Sequence, residues 1–184
     1  MPRQPLTRRI KSTVFLAGEG KSELGYSRWL ARLAHVHGAP IAIQTVGLKG
    51  GDPLDLVQQA IIKLRTMEAQ RGRLHTKGLL LDDDLLGNAD RDGQALDLAG
   101  RHQLHLIWQR CAHEGLLLQH FHAATELNPT SSRHARSLLL RFWPEYQKGM
   151  DANGYGARLS MDHLIVARGA LPELDQFLML AGWT

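Results

Sequence analysis

The chain has 184 residues, 43% hydrophobic and 22% charged, a globular composition that excludes extended disorder and suffices for a full core. Lys and Arg number 22 against 18 Asp and Glu, and the resulting net charge of +4 permits a nucleic-acid partner without requiring one. The lone cysteine, Cys111, excludes a disulfide framework and a cysteine-cluster zinc site, and no stretch approaches the ~18 apolar residues of a membrane span, so a soluble cytoplasmic protein is expected.

Ser12 to Gly18 (STVFLAG) predicts a buried first strand, and Glu19 to Glu23 a turn. Leu24 to His37 carries apolar residues at helical spacing and stops at Gly38 and Pro40. Ile41 to Leu48 predicts a second strand. After KGGDP, a helix runs from Leu54 to about Arg71, with Asp52 as N-cap and Pro53 at the first helical position. Lys77 to Leu81 (KGLLL) predicts a third strand that runs straight into Asp82, Asp83 and Asp84. A polar loop over Gly87 to Gly93 leads to a short helix ending near Gly100, and His105 to Trp108 is the fourth strand. Helical patterns follow over Leu116 to Ala124, from Ser131 or Ser132 to Phe142, over Ser160 to Arg168 and over Pro172 to Leu180. Gly149 to Gly156 reads as a loop.

The alternation of strands and helices predicts an α/β fold, Rossmann-like, with a mostly parallel four-stranded sheet between helices. The α/β core is expected over residues 12–125, and a helical extension packed on it over 126–184. Ligands of such sheets bind beyond the carboxyl ends of the strands. Glu19 and Asp82 to Asp84 are far apart in sequence, yet this topology brings them to one rim.

LLLDDDLLG sends carboxylates out of the end of a buried strand. Asp82 and Asp84, two apart in an extended chain, are expected on the same side, and hard oxygen donors in that pattern suit Mg²⁺ or Mn²⁺. Acids also favour a helix N-terminus, but three in a row exceed what capping needs. In AGEGKSELG, Glu19 stands between two glycines that leave room for a ligand against the backbone. The GKS there is not a phosphate loop, because Phe15 occupies the position where that motif requires glycine. Glu114 follows the fourth strand at the same rim. His113, His120 and His122 have no standard metal spacing and read as core or surface histidines. Lys148, after a helix and before the glycine-rich segment, could stabilise charge on a phosphate if it lies near the carboxylates. Arg8, Arg9 and Lys11 form a basic N-terminal cluster, and Arg133, Arg136 and Arg141 a second one.

A glutamate after the first strand with a D-x-D after the third resembles the TOPRIM arrangement of topoisomerases, primases and the overcoming-lysogenisation-defect nucleases. The wider pattern resembles the RloB-like branch of that group. Its E-G-x-[ST]-E-x-x-Y is matched by Glu19, Gly20, Ser22, Glu23 and Tyr26, and its glycine turn by Gly50, Gly51, Asp52 and Pro53. Its D-x-D is matched by Asp82 and Asp84. Its F-E-x-W-x-x-x-H-F is matched at Glu114, His120 and Phe121, with His113 and Leu116 in place of aromatics. Its Y-x-K is matched by Tyr146 and Lys148. The resemblance spans roughly residues 12 to 150.

The resemblance implies a divalent-metal-dependent nuclease in a bacterial anti-phage or restriction-linked system. Asp82, Asp84 and Glu19 would hold one Mg²⁺ or Mn²⁺. Glu23 or Glu114 would help hold a second ion or orient water. Glu19 could act as general base and Lys148 as charge stabiliser, while Arg8, Arg9 and Lys11 would contact the backbone of DNA, expected ahead of RNA. The same resemblance implies an ABC- or SMC-type ATPase partner, and a homodimer is a further possibility. The alternative is a non-catalytic metal-binding subunit of such an ATPase. A nucleotide phosphotransferase or phosphatase using Asp82 as nucleophile ranks last, because that motif usually begins at the first strand, whereas here it ends the third.

Overall fold

A computed structural model describes residues 11–184; Arg8 and Arg9 lie outside the described residues. The chain runs β1 (Ser12–Gly18), α1 (Lys21–Val36), β2 (Ile41–Gly47), α2 (Pro53–Arg71), β3 (Thr76–Asp82), α3 (Ala89–Arg101) and β4 (His105–Gln109). Five helices complete it: α4 (His113–Leu118), α5 (Ser132–Phe142), α6 (Ala152–Arg158), α7 (Met161–Ala170) and α8 (Pro172–Leu180). The four strands form one all-parallel sheet in the order β2-β1-β3-β4. The expected α/β architecture, a parallel sheet flanked by helices, is what the chain adopts.

Residues alternate across the sheet as the strand period requires. On β1, Val14 and Leu16 enter one core with Tyr26, Leu30, Leu116, Leu139 and Phe177. Phe15 and Ala17 enter a second core with Leu56, Val57, Ala60, Ala95 and Ala99. α1 therefore covers one face, and α2 and α3 the other. The strand order explains this division. Right-handed crossovers take the chain from β1 out to β2 over one face, and back past β1 to β3 and on to β4 over the opposite face. The reversal falls between β1 and β3, and a crevice opens there at the strands' carboxyl ends.

The helices after residue 126 do not form a core of their own. Leu139, Trp143, Tyr155, Leu164, Leu174 and Phe177 share the core on the α1 face with Val14, Leu16 and Leu80. Among the described residues no helix is long and apolar enough to cross a membrane.

Three local expectations are corrected. The segment 149–156 contains α6, because the Asp151 side chain accepts N–H groups of Asn153 and Gly154 at 3.0 Å each and Ala152 and Tyr155 are buried. A cap and a buried aromatic outweigh the low helix propensity of its glycines. The loop expected over 87–93 yields to α3 from Ala89, where Asn88 caps the Arg91 N–H at 3.2 Å. The turn expected over 19–23 is already helical from Lys21.

Candidate functional site

A cleft of about 490 Å³ occupies the crevice between β1 and β3. Glu19, Glu23, Asp82, Asp84 and Lys148 line it, with Lys21, Ser22 and Gly149 at its margins. Glu19 arrives at the end of β1, Glu23 on the first turn of α1, and Asp82 as the last residue of β3. The topology thus gathers residues separated by more than a hundred positions.

Asp82 continues the strand alternation of Leu80, which faces α1. Its Oδ1 is buried without a hydrogen-bond partner. Its carboxyl is pushed up to about 7, first by burial and then by the negative charges of Glu23, Asp84, Glu19 and Glu114. Glu19 is raised by burial, then by Glu23 and Asp84, and Lys148 opposes the rise. Asp84 is raised by burial and by Asp83, again against Lys148. Lys148 is therefore a cation that Glu19 and Asp84 both feel.

The strand argument that placed Asp84 beside Asp82 is corrected. β3 ends at Asp82, and Asp83–Leu85 form one 3-10 turn. Asp84 reaches the same cleft by that turn rather than by period-two alternation. Asp83 points elsewhere: its Oδ1 accepts the Cys111 N–H and ties the turn to the segment after β4.

The glycines beside Glu19 serve a different end from the one expected. A Cβ on Gly18 would lie 2.5 Å from Glu23 Cβ, and one on Gly20 would lie 2.7 Å from Glu23 Oε2. The space they leave belongs to Glu23. Glu23 Oε2 accepts the Gly20 N–H at 2.9 Å, which satisfies a free donor at the start of α1 and fixes the carboxylate at the cleft.

Glu114 does not line the cleft. It is buried behind it, and Tyr146 donates to its Oε1 at 3.2 Å. Its charge still reaches Asp82 and Asp84. Glu114 is set there by an unusual turn after β4. Cys111 (φ 61°) and Ala112 (φ 133°) occupy positive-φ backbone, and a Cβ on Gly115 would meet Arg110 O at 1.9 Å.

His113 and His120 are core histidines, and His122 is exposed. His113 Nε2 lies 2.9 Å from Tyr155 Oη and its Nδ1 lies 2.6 Å from Gln109 Oε1, with Glu23 Oε1 at 3.8 Å. Burial lowers the His113 pKa, against the pull of Glu23 and Glu114. Tyr26 and His120 meet at 3.1 Å (Oη to Nε2). Tyr155 also donates to Ser22 O at 3.2 Å, and Ser22 Oγ accepts the Gly149 N–H at 2.9 Å. These contacts hold the segment bearing Lys148 against the start of α1. The Tyr155–Ser22 contact carried no sequence signal, because partners 133 positions apart leave no local pattern.

Lys11 is exposed, with Nζ 3.2 Å from His35 Nδ1, and does not line the cleft. Among the described residues, no group of three or more His, Cys, Asp or Glu is drawn together closely enough to hold a metal ion as it stands. The carboxylates ring the cleft rather than closing on one point. The chain matches no family model, no curated protein and no solved structure.

Proposed function

We propose that this cleft is the centre of a divalent-cation-dependent phosphodiesterase acting on nucleic acid, with DNA the expected substrate. The observation that carries the reading is Asp82: a buried, unpartnered carboxylate oxygen that shares its cleft with Glu19, Glu23 and Asp84 at the switch point of a parallel sheet. Crowded carboxylates need protons or a cation to offset their repulsion. The donor set is all oxygen, which suits Mg²⁺ or Mn²⁺.

Asp82, Asp84 and Glu19 would hold the ion, and Glu23, fixed by the Gly20 N–H, would help orient it or a water molecule. A bound divalent ion supplies Lewis acidity and a nucleophilic water near neutral pH. Glu19, with its raised pKa, is suited to take a proton from the attacking water. Lys148 faces the carboxylates across the cleft and would neutralise charge growing on the phosphate. Glu114 acts from behind as a fixed negative charge, held by Tyr146. The resemblance to the RloB-like TOPRIM pattern supports the same assignment, as well as an ATPase partner of the ABC or SMC type.

The test is calorimetric titration of Mn²⁺ and Mg²⁺ into the wild type and into Asp82→Ala/Asp84→Ala, with plasmid nicking on the same samples. Metal binding and nicking in the wild type, both lost in the variant, are expected. Binding without nicking would replace the hydrolase with a metal-binding subunit that awaits its ATPase. No binding would make the acidic cluster structural.

A further inference from the structure

The turn that closes β3 separates two cavities. Asp82 and Asp84 line the acidic cleft, whereas Asp83, between them, lines a second cavity of about 430 Å³ at the carboxyl end of β4. Its other walls include Trp108, Arg110, Gln119, Thr125 and Asn128. Leu171 and Pro172, at the joint of α7 and α8, close its far side.

The chemistry of these walls is unlike that of the acidic cleft. Trp108 contributes an indole, Gln119 and Asn128 amides, Thr125 a hydroxyl and Arg110 a guanidinium. Arg110 is steadied by a 3.0 Å bond to Asn128 Oδ1, and Asp83 by the Cys111 N–H. Asp83 and Glu173 also lie on the walls, beside Arg110. A free phosphate would therefore meet carboxylates here. A neutral planar heterocycle, rich in donors and acceptors, would instead find Trp108 at the border and polar side chains as partners for its edges.

The two cavities share a wall made by consecutive residues, and consecutive Cα atoms are only ~3.8 Å apart. That wall sets the second cavity directly beside the acidic cleft.

We infer that this second cavity is a nucleobase pocket, which receives the base of a nucleotide next to the phosphate held in the acidic cleft. The substrate is then a single strand or an extruded nucleotide, because a base inside a duplex stack cannot enter a side pocket. This inference rests on the phosphodiesterase reading, and it can fail separately from it.

The test uses nucleosides, which carry no phosphate and so owe nothing to the acidic cleft. Deoxyadenosine, deoxyguanosine, deoxycytidine and thymidine are titrated into the ¹⁵N-labelled protein and followed by amide and indole NMR. At least one nucleoside is expected to shift the Trp108 indole and Gln119 side-chain signals while Gly20, Ser22 and Gly149 stay in place. Arg110→Ala and Gln119→Ala, which remove an exposed and a half-buried side chain and spare the core, should each weaken that nucleoside about tenfold. Equal shifts with deoxyribose alone, or no shift at Trp108 and Gln119 with any nucleoside, would overturn the pocket. Plasmid nicking is scored on the same samples. Nicking without nucleoside shifts leaves the hydrolase and removes the pocket; nucleoside shifts without nicking remove the hydrolase and leave the pocket.

Discussion

Tyr146 donates a 3.2 Å hydrogen bond to Glu114 in the buried layer behind the cleft, joining the segment before Lys148 to the helix after β4. Both residues are at most 3% exposed, so neither group has water in reserve. Tyr146→Phe leaves a buried carboxylate oxygen without its donor and should cost about 1–3 kcal/mol in urea unfolding at pH 7. Glu114→Gln keeps an acceptor for Tyr146 and removes a charge from behind Asp82, so it should cost less. An equal loss in the two variants would contradict this account of the pair.

Asp82 has a pH signature. Its folded pKa of about 7 exceeds the ordinary value of 3.8, so the folded state favours the protonated acid. Stability that depends on this proton is fully present below about pH 4 and is lost as the pH rises through about 7. Asp82→Asn mimics the protonated form. In buffer without divalent ions its advantage over the wild type should be small at pH 4, grow up to pH 7 and then level, at no more than about 4 kcal/mol. Mn²⁺ should narrow the difference at pH 8 by stabilising the wild type alone. A difference independent of pH would show that burial and crowding do not govern this carboxyl.

His120 acts in the opposite direction. Burial pushes it down to about 3 from 6.5, so it stays neutral in the folded protein while the unfolded chain takes up a proton. The stability it confers is present above pH 6.5 and is lost as the pH falls toward 3. His120→Leu combined with Tyr26→Phe removes both polar partners of the buried pair. It should flatten the decline in stability between pH 6.5 and 4.5, read by urea unfolding at the two pH values. An unchanged decline would place the acid sensitivity elsewhere.

If the proposed function holds, Lys148 would separate metal binding from rate. Its positive charge opposes the raised pKa of both Glu19 and Asp84, and it competes with any cation in the cleft. Lys148→Ala should therefore bind Mn²⁺ more tightly by calorimetry, while nicking falls about a hundredfold for want of the charge on the phosphate. A parallel loss of metal affinity and rate would make Lys148 a residue that shapes the cleft rather than one that acts on substrate.

Much of the fold was legible along the chain. STVFLAG, IAIQTVG and the run into Asp82 are short, apolar and stopped by glycine or acid, and each becomes a parallel strand. Strand and helix alternation then dictates that Glu19 and Asp82 meet at one rim, because right-handed crossovers leave the chain little choice. Local chemistry was harder to read. MDANGYGAR looks like a loop until Tyr155 is seen buried beneath α1, since burial of one aromatic can outweigh two glycines.

By itself, then, the sequence determined the sheet, its crevice and the acids delivered there by β1 and β3, because periodicity and chain connectivity are local properties. Only the tertiary structure decided what each acid does. It turned Asp83 away to hold Cys111, brought Asp84 round by a 3-10 turn, filled the space beside Gly18 with Glu23 and withdrew Glu114 behind Tyr146. Those outcomes depend on which buried donors must be satisfied and which charges lie close enough to repel. Both depend on distances between residues that are remote in sequence.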